Sequence, residues 1–555
     1  MKILILGGYG TFGGRLAHLL ANDERLTLII AGRSREKADA FCKQLPMGAR
    51  KISLSFDRNG DVETQIRGID ADLVIDASGP FQSYGENPYR VVKACIANGV
   101  DYMDLADGSD FVKNISRFDE DARVHNIFVL SGVSSFPVLT AAVVRRLSKG
   151  FTEINTIKGG IAPSPYAGVG LNVIRAIAIY AGKRLPLIRN KQNTFGYALT
   201  ETMRYTISPP GRIPLKNTLF SLVDVPDLKV LPELWPELDS IWMGAGPVPE
   251  ILHRMLIALA WLVRIRLLPS LSPFASLFHF VINIVRWGDH RGGMFVSVEG
   301  LDGDGNKIER SWHLLAEGND GPFIPSMAVE AIIKRSLSDK KPSASARPAT
   351  QDLELEDYET LFRSRTIYTG QREWKEDSAQ QPLYRRILGD AWDSLPSPLI
   401  KMHNCKKAEG LANIEVGKTL LARLMVKILG FPEAGRDVPV QVSFISKDRA
   451  ELWQRTFAGK SFASFQMEGH GLSERLLSEQ FGPITFEMAL VVAPDKLSLV
   501  IRRWTVFGIP LPLFLAPLGN SFEYVAEGRF CFHVEIRHPI IGLIVYYQGW
   551  LVPKE

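Results

Sequence analysis

Short apolar runs alternate with glycine-rich or polar breaks along the beginning of the chain. Residues 2–6 are leucine and β-branched, as in a parallel strand that is buried on both faces. Residues 15–21 carry apolar side chains at helical spacing, and residues 26–31 again predict a strand. A glycine cluster at residues 7–14 separates the first strand from the helix. This order of strand, glycine turn, helix and strand predicts the start of a parallel α/β sheet.

The glycine cluster has the spacing that a dinucleotide-binding turn requires. One glycine turns the chain sharply out of the strand, another brings bare backbone close to a pyrophosphate, and a third packs helix against strand. Gly8-x-Gly10-x-x-Gly13 and Gly7-x-x-Gly10-x-x-Gly13 both fit, and the helix start adds N–H donors. The residues expected to bind the cofactor here are Gly7, Gly8, Gly10, Thr11, Phe12 and Gly13. A bland glycine-rich loop is the alternative, and the flanking strand and helix argue against it.

The end of the second strand bears on the choice between NAD(H) and NADP(H). An acidic side chain there binds the ribose 2′-hydroxyl, whereas a basic one accommodates a 2′-phosphate. This chain has Arg33, Ser34 and Arg35 at that point, and guanidinium groups suit a phosphate dianion. We therefore expect NADP(H), with an ordinary solvated basic turn as the alternative.

Residues 51–79 repeat the alternation of strand and helix. Residues 52–56 and 71–77 predict strands, with residues 62–69 at helical spacing between them. The later strand runs into Ser78, Gly79, Pro80 and Phe81, at the edge where open α/β sheets bind ligands, so these residues are also expected at the cofactor. The pattern predicts a doubly wound Rossmann domain over residues 1–150.

This region also carries a family resemblance. The motifs are GGYGTFG with AGRS, SGPFQSYGENPYRVVKACIANGVDYMDLADG and SGVSSFPVLTAAVVRRL, and they resemble the saccharopine dehydrogenase-like oxidoreductases. The likeness weakens after them and covers residues 1–375 in all. It implies NADP(H) or NAD(H) on an N-terminal Rossmann domain and substrate on a second, α+β domain. Gly108 stands where the family usually has an acidic residue, a departure that concerns the substrate side.

Residues 151–372 are expected to form that substrate domain, and residues 251–287 are their most unusual part. Residues 267–285 contain no Asp, Glu, Lys or Arg. Pro269 and Pro273 nevertheless interrupt them, so the unbroken stretch falls short of the ~20 residues that a membrane span needs. We predict two hydrophobic helices, which could belong to the core, line an apolar substrate channel or dip into a membrane surface.

The chain changes character in its C-terminal part. Residues 340–350 predict a flexible excursion, and the polar residues 373–381 predict a domain linker. Residues 382–555 contain two helices and then strand-like segments at 438–445, 451–457, 484–492, 497–507 and 529–536. This predicts an α+β domain rich in antiparallel strands.

The C-terminal domain has a resemblance of its own, to a domain of unknown function often found behind saccharopine dehydrogenase-like domains. The motifs that carry it are LYRRILGDAW, VQVSF, LWQRTFAG and GRFCFHVEIRHPIIGLIVYYQGWL. Residues 509–518 combine prolines with many apolar side chains. The prolines rule out a core helix, so the apolar side chains need another way to be shielded from water. An apolar ligand cavity or a contact with the first module would satisfy them.

Composition limits the classes of partner and the compartment. With 46% hydrophobic and 23% charged residues the chain is globular, and its net charge of +5 without basic tracts gives no support to a nucleic-acid partner. Four scattered cysteines fit a reduced, intracellular setting, and a strand at residue 2 leaves no room for a signal peptide. We expect a cytoplasmic protein, with a peripheral membrane contact and a homodimer left open. No histidine or cysteine spacing predicts a metal site.

The proton donor for hydride transfer is the least defined part of the predicted site. Tyr102 and Asp104 are the catalytic candidates, because they lie at a predicted strand end. Tyr84, Asp107 and His290 are further candidates. For Asp104, a carboxylate that caps a turn is the favoured alternative.

Three functional hypotheses follow. The first is an NADP(H)-dependent oxidoreductase of the saccharopine dehydrogenase-like type that acts on an apolar C=C or C=N substrate, since residues 251–287 are too apolar for a substrate with several carboxylates. The second is a non-catalytic NADP(H)-binding sensor or scaffold that presents a lipid- or partner-binding C-terminal domain. The third is a peripheral membrane protein.

Overall fold

The computed structural model describes residues 1–447, 450–517 and 519–554. Leu518, the last residue of the proline-containing apolar segment, and Glu555, the last residue of the C-terminal domain, lie outside the described residues. The chain divides into two compact units. Unit 1 comprises residues 1–205 and 218–368, and unit 2 comprises residues 206–217 and 369–555.

Unit 1 begins with strands that alternate with helices. The strands are β1 (Lys2–Leu6), β2 (Thr27–Gly32), β3 (Arg50–Ser55), β4 (Leu73–Asp76), β5 (Asp101–Asp104) and β6 (Phe128–Ser131). The helices are α1 (Thr11–Leu20), α2 (Arg35–Cys42), α3 (Val62–Ile69), α4 (Arg90–Ala97), α5 (Ser109–Lys113), α6 (Asp119–Val124) and α7 (Thr140–Leu147).

The later part of unit 1 has longer strands and two apolar helices. The strands are β7 (Phe151–Ala162), β8 (Arg184–Arg189), β9 (Gln192–Tyr197), β10 (Thr202–Tyr205), β11 (Thr218–Leu222), β12 (Ser240–Ala245), β13 (Gly292–Asp302), β14 (Lys307–Ala316), β15 (Ser345–Pro348) and β16 (Ile367–Lys375), the last of which runs into unit 2. The helices are α8 (Leu171–Tyr180), α9 (Asp227–Leu234), α10 (Glu250–Arg264), α11 (Ala275–Ile284), α12 (Ile324–Ser336) and α13 (Leu355–Phe362).

The first sheet of unit 1 is a parallel Rossmann sheet. Its strand order is β15-β6-β5-β4-β1-β2-β3, which confirms the predicted doubly wound domain. The central strand β1 lies between β4 and β2, with Leu4 opposite Val74 on one side and Ile29 on the other. These strands are buried, as their continuous apolar sequence predicts.

The prediction of a flexible excursion at residues 340–350 was wrong. Residues 345–348 form β15, which pairs in parallel with β6 through Ser345 opposite Phe128 and Ala346 opposite Val129. The Rossmann sheet thus includes a strand from outside residues 1–150. Ser-Ala-Arg-Pro has low strand propensity, so the strand forms because it pairs with β6 and not because of its own sequence.

The second sheet of unit 1 is mixed. Its strands β10-β11-β12-β7-β13-β14 follow one another, with β12 parallel and β13 antiparallel to β7. Residues 251–287 form two separate helices, α10 and α11, as predicted. Among the described residues, no helix is long and apolar enough to cross a membrane.

Unit 2 consists of short helices and a large antiparallel sheet. The helices are α14 (Leu383–Leu388), α15 (Ser397–Met402) and α16 (Leu420–Leu429). The strands are β17 (Lys407–Val416), β18 (Gly435–Lys447), β19 (Ala450–Phe457), β20 (Lys460–Glu468), β21 (Leu477–Phe481), β22 (Ile484–Ala493), β23 (Lys496–Val506), β24 (Ile509–Pro510), β25 (Ser521–Ala526), β26 (Arg529–His538) and β27 (Gly542–Lys554).

The sheet of unit 2 closes on itself. The order is β22-β21-β20-β19-β18-β17-β27-β26-β25-β23-β24, and β22 also pairs with β23. We call this ring the closed sheet; β24 pairs only with β23 and lies outside the ring. The prediction of a C-terminal α+β domain rich in antiparallel strands is confirmed.

The unit boundary differs from the predicted linker at residues 373–381. The division falls between residues 368 and 369, and residues 373–381 contain the end of β16 and a short 3₁₀ helix, Glu376–Gln380. Residues 206–217, which the sequence placed in the substrate domain, group with unit 2. Within unit 2, Arg372 donates to the backbone oxygens of Ser208 and Ile387. Its buried guanidinium therefore joins residues 206–217 to the rest of the unit.

Candidate functional site

The turn after β1 is shaped by glycines that no other residue could replace without movement. Gly7 has φ +73°, and a Cβ at Gly13 would lie 2.4 Å from the Gly7 oxygen. Gly10 donates its N–H to the same oxygen at 2.8 Å and stands at the N-terminus of α1. The helix start therefore approaches the strand end closely, with free N–H groups at its first turn.

Both glycine spacings read from the sequence have a steric basis. A Cβ at Gly8 would lie 2.9 Å from the Ile5 oxygen, and one at Gly10 would lie 3.0 Å from the Gly7 oxygen. Thr11 and Phe12 form the first turn of α1, directly after these glycines. The six predicted residues thus lie in the turn and the first turn of α1, and their glycines leave bare backbone where a pyrophosphate can approach.

The turn after β2 presents two cations. Arg33 and Arg35 are exposed, and neither makes an ion pair with any residue that the structure describes. Ser34 caps α2, where its Oγ accepts from the Lys37 N–H at 3.2 Å. The three side chains therefore remain available at the carboxyl edge of the sheet.

Tyr9 ties the glycine turn to the turn after β2. Its hydroxyl oxygen accepts from the Ser34 N–H at 3.1 Å, and a Cβ at Gly32 would lie 2.6 Å from that oxygen. Sequence analysis did not single out Tyr9 or Gly32. Their positions, one within the glycine motif and one at the end of β2, were the available signal.

The end of β4 is held by a buried carboxylate. Asp76 has zero exposure; its Oδ1 accepts from the Ser78 N–H at 3.0 Å, and the Ser78 and Tyr84 hydroxyls are 2.9 Å apart. Burial first, and then the Asp76 carboxylate, raise the pKa of Tyr84 well above its usual range, so Tyr84 keeps its proton. Arg58 Nε lies 3.7 Å from Asp76 Oδ2. Ser78 thus occupies a fixed position at the predicted ligand edge.

The remaining predicted residues of this edge differ in exposure. Gly79 and Pro80 are partly exposed, but Phe81 is buried, with its ring centroid 4.8 Å from that of Tyr84 and 5.1 Å from that of Phe111. The structure therefore gives the Phe81 side chain a packing role.

The loop between β7 and α8 and the start of α8 lie against the glycine turn and against the end of β4. Arg15 Nη2 donates to the Ala167 oxygen at 2.8 Å, and a Cβ at Gly170 would lie 2.6 Å from Thr11 Oγ1. Asn172 Nδ2 donates to the Gly79 oxygen at 2.9 Å. The start of α8 is therefore placed beside the start of α1 and the end of β4. The family resemblance covers this segment weakly, and it did not predict the contact.

The two predicted catalytic residues are both inaccessible. Tyr102 and Asp104 have zero exposure, and the Tyr102 hydroxyl has no hydrogen-bond partner among the described residues. Asp104 Oδ1 accepts from the N–H groups of Gly132 at 2.8 Å and Ala106 at 3.0 Å, and from the Ser131 hydroxyl. Asp104 thus holds the turn after β6. This is the capping role that sequence analysis favoured for it, and the burial argues against contact of either side chain with substrate.

Two further candidates, Asp107 and His290, lie at the surface. Asp107 is exposed and accepts from Gln82 Nε2 at 3.0 Å, whereas the side chain of His290 is 71% exposed beside Asp289. The Asp224 and Asp107 carboxylates both add to the rise that burial causes in the pKa of Tyr180. Asp107 follows β5, Tyr180 ends α8 and Asp224 follows β11, so residues from three elements influence one another electrostatically.

Comparison with known proteins identifies the two ends of the chain. Residues 3–125 match the family described as saccharopine dehydrogenase NADP binding domain. Residues 395–551 match a domain of unknown function, DUF4166. No curated protein matches the chain significantly.

Solved structures with a similar fold include several dehydrogenases and reductases. Saccharopine dehydrogenase (L-Glu forming) from Saccharomyces cerevisiae is 13% identical, with 67% of this chain and 99% of that chain covered and a TM-score of 0.48. Biliverdin reductase from Synechocystis sp. PCC 6803 is 12% identical, with 64% and 94% covered and a TM-score of 0.29. A probable dehydrogenase from Thermotoga maritima is 10% identical, with 66% and 98% covered and a TM-score of 0.31. At these values the likenesses carry no argument about function.

The glycine turn, the free N–H groups of α1 and the polar edge at Ser78 fit a nicotinamide dinucleotide, in agreement with the domain matched by residues 3–125. The chain therefore combines an N-terminal domain that matches the saccharopine dehydrogenase NADP binding domain with a C-terminal DUF4166 domain, as the two sequence resemblances predicted.

Proposed function

We propose that unit 1 is an NADP(H)-dependent oxidoreductase that transfers hydride to or from an apolar C=C or C=N substrate. The observation that carries the choice of NADP(H) is the pair of exposed guanidinium groups, Arg33 and Arg35, at the end of β2. Neither has an acidic partner among the residues that the structure describes, so a 2′-phosphate would be the anion that compensates them. The hydroxyl of Ser34 between them adds a donor.

The nicotinamide ring of the bound cofactor supplies or accepts the hydride. The protein has to position both reactants and exclude water. The start of α8 supports this assignment, because it lies at the edge where the cofactor is expected. Gly170 there is close to Thr11, and Asn172 bonds to Gly79.

The substrate side of the proposal rests on α8, whose start lies against Thr11 and Gly79 and whose last residue is Tyr180. Burial raises the pKa of Tyr180 well above its usual range, so its hydroxyl stays protonated and can donate a hydrogen bond to the reacting group. The apolar helices α10 and α11 of the same unit favour a substrate with a hydrophobic body over one that carries several carboxylates.

Titration of the purified protein with NADPH and NADH, by calorimetry or cofactor fluorescence, tests the cofactor assignment. We expect wild type to prefer NADPH, and Arg33→Ala to weaken NADPH binding by ~10- to 100-fold, the effect of losing a charge-assisted phosphate contact. NADH binding should stay unchanged in that variant. Binding of neither nucleotide would overturn the oxidoreductase assignment.

Arg50→Ala is the matched control. Arg50 is also an exposed arginine without an ion pair among the described residues, but it begins β3 at the opposite, amino edge of the sheet. We expect its affinity for NADPH to equal that of wild type. An equal loss in both variants would indicate general electrostatic attraction rather than a 2′-phosphate site.

A second candidate function is a non-catalytic NADP(H)-binding sensor or scaffold that presents the C-terminal domain to a lipid or a partner. The burial of Tyr102 and Asp104, which leaves the predicted proton donors out of reach, favours it. Screening apolar enoyl and imine acceptors for NADPH oxidation separates the two functions. Tight NADPH binding without turnover of any acceptor would support the sensor.

A further inference from the structure

The closed sheet of unit 2 surrounds an apolar cavity. Side chains alternate along each strand, so that Val440, Val442 and Phe444 of β18 face the cavity while Gln441 is exposed on the outer face. Trp453 and Phe457 of the next strand line the cavity too. The cavity volume is about 140 Å³, and the cavity opens to solvent. A hydrocarbon chain can enter such a cavity from its open side and contact the apolar walls.

One group of polar side chains on the cavity wall is contributed by β19, β20 and β21. Glu479 Oε1 accepts from Ser464 Oγ at 2.7 Å, from Gln466 Nε2 at 2.9 Å and from Arg455 Nη2 at 3.1 Å. Such a network is strong only when every polar atom in it has a hydrogen-bond partner. The Glu479 carboxylate has three donors, but Gln466 Oε1 has no partner among the described residues.

Two wall groups have no hydrogen-bond partner within the described residues. Gln466 is 1% exposed and its Oε1 is unpartnered, and Tyr384 is 1% exposed with an unpartnered hydroxyl. Both line the cavity. A buried polar atom that lacks a hydrogen bond has lost its contact with water without replacement, which is unfavourable. A ligand hydroxyl, which both donates and accepts, would satisfy such groups.

The charges of the wall disfavour an ionic head group. Arg455 is paired with Glu479, and His403 Nε2 lies 2.6 Å from Glu523 Oε2. Glu535 also lines the cavity and pairs with Arg537. The lining therefore holds one cation and three carboxylates, and its cation is already engaged, so an anionic head would be repelled and a second cation would lack a free partner.

We propose that the closed sheet binds an uncharged long-chain amphiphile, such as a fatty alcohol or an acylglycerol. Its chain lies among the aromatic and aliphatic side chains of the cavity, and its hydroxyl head bonds to Gln466 Oε1 and the Tyr384 hydroxyl. The site belongs to unit 2 alone and does not depend on the function proposed for unit 1.

Displacement of the uncharged fluorophore N-phenyl-1-naphthylamine from the full chain tests the proposal. The competitors share one chain length and differ in head group: 1-decanol, sodium decanoate and decyltrimethylammonium. We expect 1-decanol to displace the fluorophore at ~10-fold lower concentration than either ion. Equal displacement by decanoate, or no binding of fluorophore and alcohol, would overturn the proposal.

Variants locate the site. Gln466→Met removes the unpartnered acceptor while keeping the volume, so we expect fluorophore binding to persist and 1-decanol affinity to fall ~3- to 10-fold. Unchanged alcohol affinity in this variant would contradict the head-group assignment. Val442→Trp should block the cavity, whereas Gln441→Trp, on the outer face of the same strand, should not. Equal loss in these two variants would place the fluorophore elsewhere.

Discussion

Asp104 is a buried carboxyl group whose ionisation opposes folding. Burial raises its pKa from 3.8 to about 7, more than the hydrogen bonds from Gly132, Ala106 and Ser131 lower it. Between these two pH values the unfolded chain loses a proton that the folded chain keeps, so this group lowers stability as pH rises and adds no further change above about 7.

Asp104→Asn removes this pH dependence. We expect the variant to gain stability over wild type by about 1.4 kcal/mol per pH unit across that interval, measured as the difference in urea unfolding midpoints. Hydride transfer should persist in Asp104→Asn if the carboxyl only holds the turn. A variant that loses turnover and keeps the wild-type pH dependence of stability would restore Asp104 as a catalytic residue.

Gly170 allows the start of α8 to approach the cofactor turn. Because a Cβ at this position would lie 2.6 Å from Thr11 Oγ1, Gly170→Ala must displace one of the two segments. We expect its NADPH dissociation constant to rise ~3- to 10-fold, measured by calorimetry. Gly68→Ala is the control, since nothing lies within 4 Å of a Cβ there. Wild-type affinity in Gly170→Ala would show that this contact does not bear on the cofactor.

At the scale of elements, α10 and α11 each expose one apolar face. Phe280 and Ile284 of α11 are 62% and 61% exposed, and Leu277 lies one turn before Phe280 on the same face. Trp261 and Trp287 are exposed near the ends of the pair. The exposed Arg266 and Arg286 make no ion pair among the described residues. We propose that this face contacts an anionic lipid surface, with the arginines at the headgroups and the apolar residues in the interface.

Sedimentation with vesicles tests the membrane contact. We expect binding to phosphatidylcholine vesicles that contain phosphatidylserine, and weaker binding to phosphatidylcholine alone. Phe280→Ser combined with Ile284→Ser should weaken vesicle binding ~10-fold or more, because two apolar side chains that would enter the membrane interface are lost. Phe514→Ser in unit 2, where the side chain is 74% exposed, is the matched control. No binding of wild type to either vesicle would refute the contact.

At the scale of the whole molecule, unit 2 includes residues 206–217, which lie in the sequence between the two parts of unit 1. Gly211 of that segment has φ +70°, accepts from the Val492 N–H at 2.9 Å, and has Ala391 and Val492 close to the position of its missing Cβ. The segment is therefore fixed to unit 2 by backbone pairing and by packing.

Gly211→Ala should destabilise unit 2 although its neighbours in sequence belong to unit 1. Left-handed backbone and crowding together cost about 1–3 kcal/mol, which lowers the melting temperature of the corresponding transition by ~2–8 °C. Calorimetry with and without NADPH assigns the transitions, since the cofactor stabilises only the unit that binds it. Gly303→Ala, with open space around it, should leave both transitions unchanged. A shift confined to the NADPH-stabilised transition would contradict this assignment.

The sequence by itself determined the features that depend on local order. The apolar runs at β1, β2 and β4 and the glycine spacing between residues 7 and 13 are local patterns. Periodicity and motif were therefore sufficient to predict the Rossmann sheet and the tight turn after its central strand. The breaks at Pro269 and Pro273 likewise predicted two helices, α10 and α11, because proline limits a helix wherever the chain goes.

The tertiary structure decided what depends on partners distant in sequence. β15 is a strand because β6 offers a parallel edge. Asp104 is inaccessible because the turn after β6 packs over it. Asn172 of α8 bonds to Gly79 although the two residues are far apart in the sequence. The closure of the sheet in unit 2 and the burial of Gln466 Oε1 depend on the pairing of β22 with β23. Alternation predicts which residues share a face of a strand, but only long-range register determines what that face surrounds.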